Sequence, residues 1–507
     1  MSRRLPLLGA ALLVLAGAVA AGPAPAAAWG PAPWPVVAGG GTAAPVTIPV
    51  PPALTWTSCQ GGFQCARLSV PLDYAVPRLG RVSLRLLRLR ASGPGTRLGS
   101  LLVNPGGPGV SAVDFLRDFA RSDTTSLLRP RFDLVAFDPR GTGGSAPLRC
   151  LDTAQLDRFF HVDPDPDTPA EIQALDLQSR ALAAGCRRLS ARILPHLSTT
   201  DAARDMESVR LAVHDRKLTY LGYSYGTALG AAYLDEFPLH VRAMVLDGAL
   251  DPRSSWDQLA VGQARGFELA LNSFLAWCGR TPDFCAFRRV VRGDLGAAYD
   301  AIAARLERRS VAGSGSRLVG PAELYFGAGE ALYTDASWPE LGAALADLRH
   351  GDGRSMLQLS DYYLERTATG YSNSLEANYA VNCVDRPFPR DNASYQRLAD
   401  RVRRVAPRLG AAIAWGSQGC ARWPVPATSR PHAVTGFGSP PIVVIGTTRD
   451  PATPYAWAIG LARQLSRGVL LTFDGDGHTA FGRSNACIDG PVNAYLLTTR
   501  APTARTC

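Results

Sequence analysis

Ser224 stands in Leu218-Thr-Tyr-Leu-Gly-Tyr-Ser224-Tyr-Gly-Thr-Ala-Leu-Gly230, a short apolar run, a glycine-bounded turn and a stretch of small residues. Inside it, Gly222-Tyr223-Ser224-Tyr225-Gly226 fits G-x-S-x-G. That spacing makes a nucleophile elbow, a strand-to-helix turn so sharp that the positions two before and two after the serine must be small. The turn lifts the hydroxyl clear of the sheet edge, and the following helix points its positive end at the site. A serine hydroxyl is a weak nucleophile until a base takes its proton, and the base needs a carboxylate to hold its tautomer. The chemistry written here is acyl transfer through a serine ester. The chain must then also supply a base, an acid and donors for an oxyanion.

Behind an elbow of this kind the chain order is serine, acid, histidine. The histidines are His161, His196, His214, His240, His350, His432 and His478. Only His478, in Asp474-Gly-Asp-Gly-His478, directly follows the last strongly apolar run, which makes it the base; His432 precedes the run before that. The acid is Asp450, in Thr447-Thr-Arg-Asp450-Pro-Ala-Thr-Pro454, a loop with the turn residues to aim a carboxylate at His478. Asp247, at the end of the strand after the elbow, is the alternative acid, or else holds the loop entering the following segment. Asp474 and Asp476 rank lower, as turn formers in a glycine-rich loop. The oxyanion donors are the N–H of Tyr225 and that of Gly107 in Asn104-Pro-Gly-Gly-Pro-Gly109, where glycine lets the backbone approach and Pro105 and Pro108 stiffen the turn. Each such donor is worth about a hundredfold in rate. The set works without a metal or cofactor, and no C-x-x-C pair or histidine–cysteine cluster points to zinc.

The elements that position these residues are apolar strands alternating with helices. Leu98–Val103, Phe132–Phe137, Leu218–Tyr223, Val241–Asp247, Pro441–Gly446 and Gly468–Phe473 read as buried parallel strands. Ala66–Tyr74 and Arg81–Arg90 alternate apolar and polar residues, as antiparallel edge strands with one wet face do. Helices are predicted at Thr168–Leu189, at Thr200–Val213 with Thr199-Thr200-Asp201 as its cap, and at Gly490–Thr498. Between residues 251 and 425 helical periodicity dominates without a strong strand, and Gly313-Ser-Gly-Ser316 is a turn. The fold class is α/β: an α/β-hydrolase fold, a mostly parallel sheet with helices on both faces and an inserted helical cap. The expected division is a signal peptide (1–28), a flexible Pro/Ala/Gly-rich leader (29–52), the first part of the core (53–250), the cap (251–425) and the rest of the core (426–507).

A hydrophobic content of 46% against 19% charged residues supports a large core. The net charge of +10 comes almost wholly from dispersed arginine, with Lys217 the single lysine. No basic face interleaved with aromatics marks a nucleic-acid binder. Arg3 and Arg4 followed by apolar Leu5–Ala20 have the proportions of an export signal, too short for a membrane span. No later apolar run is long enough to span a bilayer, so a secreted, extracellular protein, expected as a monomer without membrane insertion, is the reading. The ten cysteines agree with an oxidising compartment. Their order suggests pairing between neighbours, Cys59–Cys65, Cys150–Cys186, Cys278–Cys285, Cys383–Cys420 and Cys487–Cys507, although order alone leaves other connectivities open.

Taken together, Asn104-Pro-Gly-Gly-Pro-Gly, Asp138-Pro-Arg-Gly-Thr-Gly-Gly-Ser145, Gly-Tyr-Ser224-Tyr-Gly-Thr and Asp450-Pro-Ala-Thr-Pro resemble the secreted actinobacterial tripeptidyl aminopeptidases, TAP-like α/β-hydrolases related to prolyl aminopeptidases. The resemblance runs from about residue 54 to the end. It implies Ser224, Asp450 and His478 as nucleophile, acid and base, Gly107 at the oxyanion, and a C-terminal segment closed by a cysteine such as Cys507. Prolyl aminopeptidases usually carry His-Gly-Gly-Pro-Gly; Pro105 replaces that histidine here and favours the tripeptidyl branch. The implied activity is an exopeptidase that releases short peptides, tripeptides first, from peptide or protein N-termini. Such an enzyme needs a carboxylate for the substrate ammonium group. Glu376 and Asp385, in Ser374-Leu-Glu-Ala-Asn-Tyr-Ala-Val-Asn-Cys-Val-Asp385, are the candidates, and equally good as structural charges; Tyr223 and Tyr225 line the pocket or simply pack. The alternatives are a carboxylesterase or lipase on the same machinery, since fold does not fix substrate, and a non-catalytic binding protein with a hydrolase fold.

Overall fold

The computed structural model describes residues 47–507; the expected signal peptide and residues 29–46 of the leader lie outside the described residues. The strands that hold the site are buried on both faces. In the elbow strand all six residues are buried, Leu221 and Tyr223 in one core and Tyr220 in the other, because successive side chains alternate across a sheet. Such strands need parallel neighbours joined by helical crossovers.

The main sheet contains β1 (Thr57–Ser58), β2 (Gln64–Pro71), β3 (Arg81–Leu89), β4 (Gly99–Asn104), β5 (Phe132–Phe137), β6 (Leu218–Tyr223) and β7 (Val241–Asp247). Two small ribbons follow, β8 (Val311–Ala312) with β9 (Leu318–Val319) and β10 (Arg366–Thr367) with β11 (Gly370–Tyr371). The sheet is completed by β12 (Ile442–Arg449), β13 (Gly468–Asp476) and β14 (Arg505–Thr506), in the order β1-β2-β3-β5-β4-β6-β7-β12-β13-β14. Pairing is antiparallel from β1 to the β3–β5 contact and parallel from there on. The alternation of β3 suggested an edge strand, but its second side pairs with β5, Leu86 opposite Phe137. Gly313-Ser-Gly-Ser316 is the turn of the β8–β9 ribbon.

Among the described residues, five α-helices come before the strand after the elbow: α1 (Ala112–Phe119), α2 (Thr153–Phe160), α3 (Pro169–Ser190), α4 (Thr199–Ala212) and α5 (Tyr225–Glu236). Between β7 and β12 lie α6 (Trp256–Arg280), α7 (Ala286–Val290), α8 (Leu295–Arg308), α9 (Pro321–Leu332), α10 (Trp338–Arg349), α11 (Arg354–Tyr363), α12 (Ser374–Asp385), α13 (Asn392–Arg403), α14 (Gly410–Trp415) and α15 (Gln418–Ala421). Helices α16 (Tyr455–Gln464) and α17 (Ala486–Thr498) return to the sheet. The cap of α4 is Ser198, whose hydroxyl accepts the Asp201 N–H, rather than Thr199-Thr200-Asp201; the capping residue must be the last extended one, and Thr199 is already helical. Helix α17 begins four residues before the expected Gly490, capped by Asn485.

The Asp138-Pro-Arg-Gly stretch turns out to be scaffolding. Fully buried Asp138 accepts from Ser111 Oγ at 2.8 Å, from Val113 N at 3.0 Å and from Gly144 N at 2.9 Å. It thereby fixes the start of α1 and ties it to the glycine-rich loop after β5. Arg140, also buried, bonds both oxygens of Asp205 at 2.7 Å and donates to the carbonyls of Pro71, Leu72 and His196. Disulfides join Cys59 to Cys65, Cys150 to Cys186, Cys278 to Cys285, Cys383 to Cys420 and Cys487 to Cys507. No described helix is long and apolar enough to cross a membrane.

Candidate active site

Ser224 sits between β6 and α5 with φ 54° and ψ −123°, a region that L-residues enter at a cost and that marks a constrained turn. The two flanking glycines are forced by contact. A Cβ on Gly222 would lie 2.4 Å from the Gly226 carbonyl oxygen, and one on Gly226 would lie 2.7 Å from that of Asn104. The serine itself is 3% exposed.

The loop after β4 closes on the elbow. A Cβ on Gly106 would meet Ser224 Cβ at 2.8 Å and Tyr225 N at 3.0 Å. Gly106 N–H is spent on Asn104 Oδ1 at 3.0 Å. The Gly107 and Tyr225 N–H groups have no acceptor among the described residues, which leaves both for an oxyanion. From above, α12 grips this loop: Asn378 Nδ2 donates to the Pro108 carbonyl at 3.1 Å.

Asp450 and His478, 2% and 4% exposed, face each other from the loops after β12 and at the end of β13. Both Asp450 oxygens lie 2.9 Å from His478 Nδ1. The carboxylate is held in turn by the N–H groups of Ala452, Thr453 and Thr479 and by Thr453 Oγ1. Thr453 Oγ1 is also 3.3 Å from Nδ1. The other ring nitrogen, Nε2, is buried and has no hydrogen-bond partner among the described residues; a bond from a catalytic hydroxyl to its base commonly tightens only when substrate binds. The chain segment between β7 and β12 supplies a support that sequence reasoning missed. The His478 N–H donates to the Tyr333 carbonyl at 2.8 Å, and the Tyr333 ring packs edge-on to the imidazole at 5.3 Å. Thr453 was also missed, although its place three residues after Asp450 in a turn is a readable signal.

The competing residues lie elsewhere. Asp247 makes no bond to the imidazole; its carboxylate accepts from the backbone of Ala480 and Phe481, and burial pushes it up to about 6. Asp474 and Asp476 pair with Arg449, and His432 pairs with Asp235. Among the candidates for substrate binding, Glu376 is turned away. Its carboxylate accepts from the N–H groups of Cys150 and Leu151 at 2.8 and 2.9 Å, which ties α12 to the chain before α2. Tyr223 packs against Phe115 and Phe119 and donates to the Phe481 carbonyl. Neither lines the cavity over Ser224. Asp385 does line it, but its oxygens are taken by the Thr199 N–H and hydroxyl. Burial raises its carboxyl to about 6, against the pull of those bonds.

The cavity over Ser224 measures about 50 Å³ and is walled by Gly107, Tyr225, Gln263, Asn382, Asp385, Arg386 and Thr453. A longer cleft of about 620 Å³ starts at Gly109 and Val110 and runs between α1 and the β10–β11 ribbon. Phe115, Phe119, Tyr362 and Tyr371 give it apolar walls, and Asp114, Asp118, Asp361 and Glu365 outnumber the one basic lining residue, Arg366, which pairs with Asp157. Asp114 pairs with Arg85 and Asp361 with Arg317. Asp118 has no ion pair among the described residues.

Residues 406–507 match the family model described as TAP-like protein, and residues 99–288 that of the alpha/beta hydrolase fold. Serine protease Hip1 of Mycobacterium tuberculosis is 37% identical over 464 residues, which cover 87% of this chain and 88% of that protein. Carboxylesterase B of the same species is 41% identical over 476 residues, 90% of each chain. Tripeptidyl aminopeptidase of Streptomyces lividans is 33% identical over 460 residues, 88% of this chain and 85% of the relative.

Proposed function

The chain belongs to the TAP-like family of α/β-hydrolases, and on that footing we propose that it is an exported serine exopeptidase that releases short peptides, tripeptides first, from free N-termini. Ser224 Oγ attacks the scissile carbonyl and gives its proton to His478 Nε2. The N–H groups of Gly107 and Tyr225 hold the oxyanion. As the C–N bond breaks, the imidazolium returns the proton to the leaving amine. Water, deprotonated by the same imidazole, then attacks the serine ester, releases the peptide acid and restores the hydroxyl. Asp450 keeps Nδ1 protonated and the ring oriented. Export accords with the five disulfides.

The observation that supports a peptide over a simple ester is the acid-lined cleft that starts two residues from Gly107. Glu376 and Asp385 are committed to backbone and hydroxyl donors and Glu365 to the Ser372 hydroxyl, so the ammonium group is assigned instead to Asp118, which no ion pair occupies among the described residues. At about 3.3–3.6 Å per extended residue, three residues span about 10 Å, which is the reach this reading requires between Ser224 and the acid that receives the ammonium group. The 41% identity to a relative named carboxylesterase favours the second reading, ester hydrolysis by the same residues. Chromogenic tripeptide anilides with free and acetylated N-termini, tested beside a short acyl ester, separate the two. Turnover of the free peptide alone is expected. Ester turnover without peptide cleavage overturns the exopeptidase reading, and failure of a fluorophosphonate to label Ser224 overturns both in favour of a binding protein.

A further inference from the structure

Asp247 ends β7 in register between Tyr223 of β6 and Ile445 of β12. Its two ends hold two different parts of the site. The main-chain carbonyl accepts the Ser224 N–H at 2.8 Å. The carboxylate reaches the other way: Oδ1 and Oδ2 take the Ala480 N–H at 3.1 and 3.0 Å, and Oδ2 takes the Phe481 N–H at 2.7 Å. One residue thus ties the nucleophile's turn to the loop that carries His478. The next residue fits tightly as well. A Cβ on Gly248 would stand 3.1 Å from His478 Cε1 and 2.9 Å from Thr479 Cγ2.

The charge itself calls for an explanation. Asp247 is fully buried, and no arginine or lysine pairs with it among the described residues. The ionisable groups around it are His478 from the loop, Asp450 from the end of β12, and Tyr223 from β6 with Asp489 of α17 beyond it. Two backbone N–H groups can be covered by a neutral side chain without the desolvation cost of a carboxylate. A charge is useful where a cation forms, and the cation this chemistry makes is the imidazolium of His478.

We propose that Asp247 is a positioning residue that sets His478 against Ser224 and places negative charge beside the imidazolium formed during acyl transfer. This rests on reading Ser224, Asp450 and His478 as the reacting set. Because burial holds its carboxyl at about 6, Asp247 is ionised at neutral pH and takes up a proton as the pH falls through about 6. Its protonation weakens the grip on Ala480 and Phe481 and removes the charge, so loss of activity in acid takes two protonations rather than the one that a lone general base accounts for.

The test is the rate of fluorophosphonate labelling of Ser224, with kcat and KM on whichever substrate class is turned over, followed from acid to mildly alkaline pH. In wild type the logarithm of the labelling rate is expected to fall with a slope of two on the acid side. In Asp247→Asn the rate at neutral pH drops about a hundredfold, the size of effect that small misplacement of a reacting group produces. KM stays within about threefold, and the acid slope becomes one. A folded Asp247→Asn variant with wild-type rate, or with a uniformly lower rate and an unchanged slope, overturns the proposal. Should that variant not fold, Asp247→Glu decides: it keeps the carboxylate one methylene further out, so a rate lowered about tenfold with a slope of two is expected, and a slope of one overturns the idea. Labelling of the wild type tests the reading of the site; the ratios and slopes between variants test Asp247.

Discussion

Asp450 offers its carboxylate to one imidazole and to four further donors, so its position is over-determined. Asp450→Asn is expected to keep the fold and lower kcat about ten-thousandfold, because the amide presents a donor to Nδ1 and selects the wrong tautomer; steady-state kinetics beside a thermal melt check this. Glu330 on α9 is the opposite kind of buried acid. It is 8% exposed and accepts no hydrogen bond among the described residues, and burial, aided by Glu365, pushes its carboxyl up to about 8. A carboxyl raised in the folded state binds its proton more tightly there than in the unfolded chain. The stability it permits is therefore present below about pH 4.3, its unfolded value, and is lost as the pH rises through about 8. Relative to Glu330→Gln, wild type should lose up to about 1.4 kcal/mol per pH unit across that window, measured by urea unfolding at several pH values. Ser224, Asp450 and His478 could be singled out because each lies directly after an apolar strand, in the order the elbow demands. The second use of Asp247 and the parts played by Thr453 and Tyr333 could not, since they depend on which loops meet. Glu376 shows the converse: a carboxylate in a suggestive stretch is consumed by two N–H groups 225 and 226 positions away.

At the scale of elements, the loop after β4, to which the proposed oxyanion donor Gly107 belongs, is held from both sides. Asp138 fastens the start of α1 below it, and Asn378 of α12 holds the Pro108 carbonyl above it. Asn378→Ala removes the upper hold and frees Gly107 to drift from the position where its N–H meets developing charge. The expected result is a loss of about tenfold to a hundredfold in kcat with KM little changed, read from steady-state kinetics on the turned-over substrate. The six buried strands β4, β5, β6, β7, β12 and β13 were readable to within a few residues at their ends, because burial on both faces leaves an uninterrupted apolar run; the two-residue strands β1, β8–β11 and β14 leave no such run. The edge assignment of β3 failed for a definable reason: alternation reports one wet face, and a strand can keep a wet face while pairing on both sides. The helices between β7 and β12 were legible as helices only. What they touch is decided by long-range packing, as when Tyr333 reaches the imidazole, and helical periodicity carries no record of that.

The whole molecule is tied by covalent loops as well as by its two cores. Cys150–Cys186 closes a separation of 36 residues between the end of the Asp138 loop and α3. Replacing both cysteines by serine is expected to cost about 3–4 kcal/mol of stability on loop entropy, measured by denaturant unfolding of the pair variant against wild type under oxidising conditions. The arrangement of all five bonds has a further consequence. No loop encloses or crosses another: each pair closes before the next pair's first cysteine occurs in the chain. Ten thiols allow on the order of a thousand full pairings, yet a polypeptide that emerges from its N-terminus under oxidising conditions always finds the native partner of its newest cysteine as the nearest unpaired one. Bond formation in order of appearance therefore leads to the final set without exchange, so correct oxidation follows from the direction of travel.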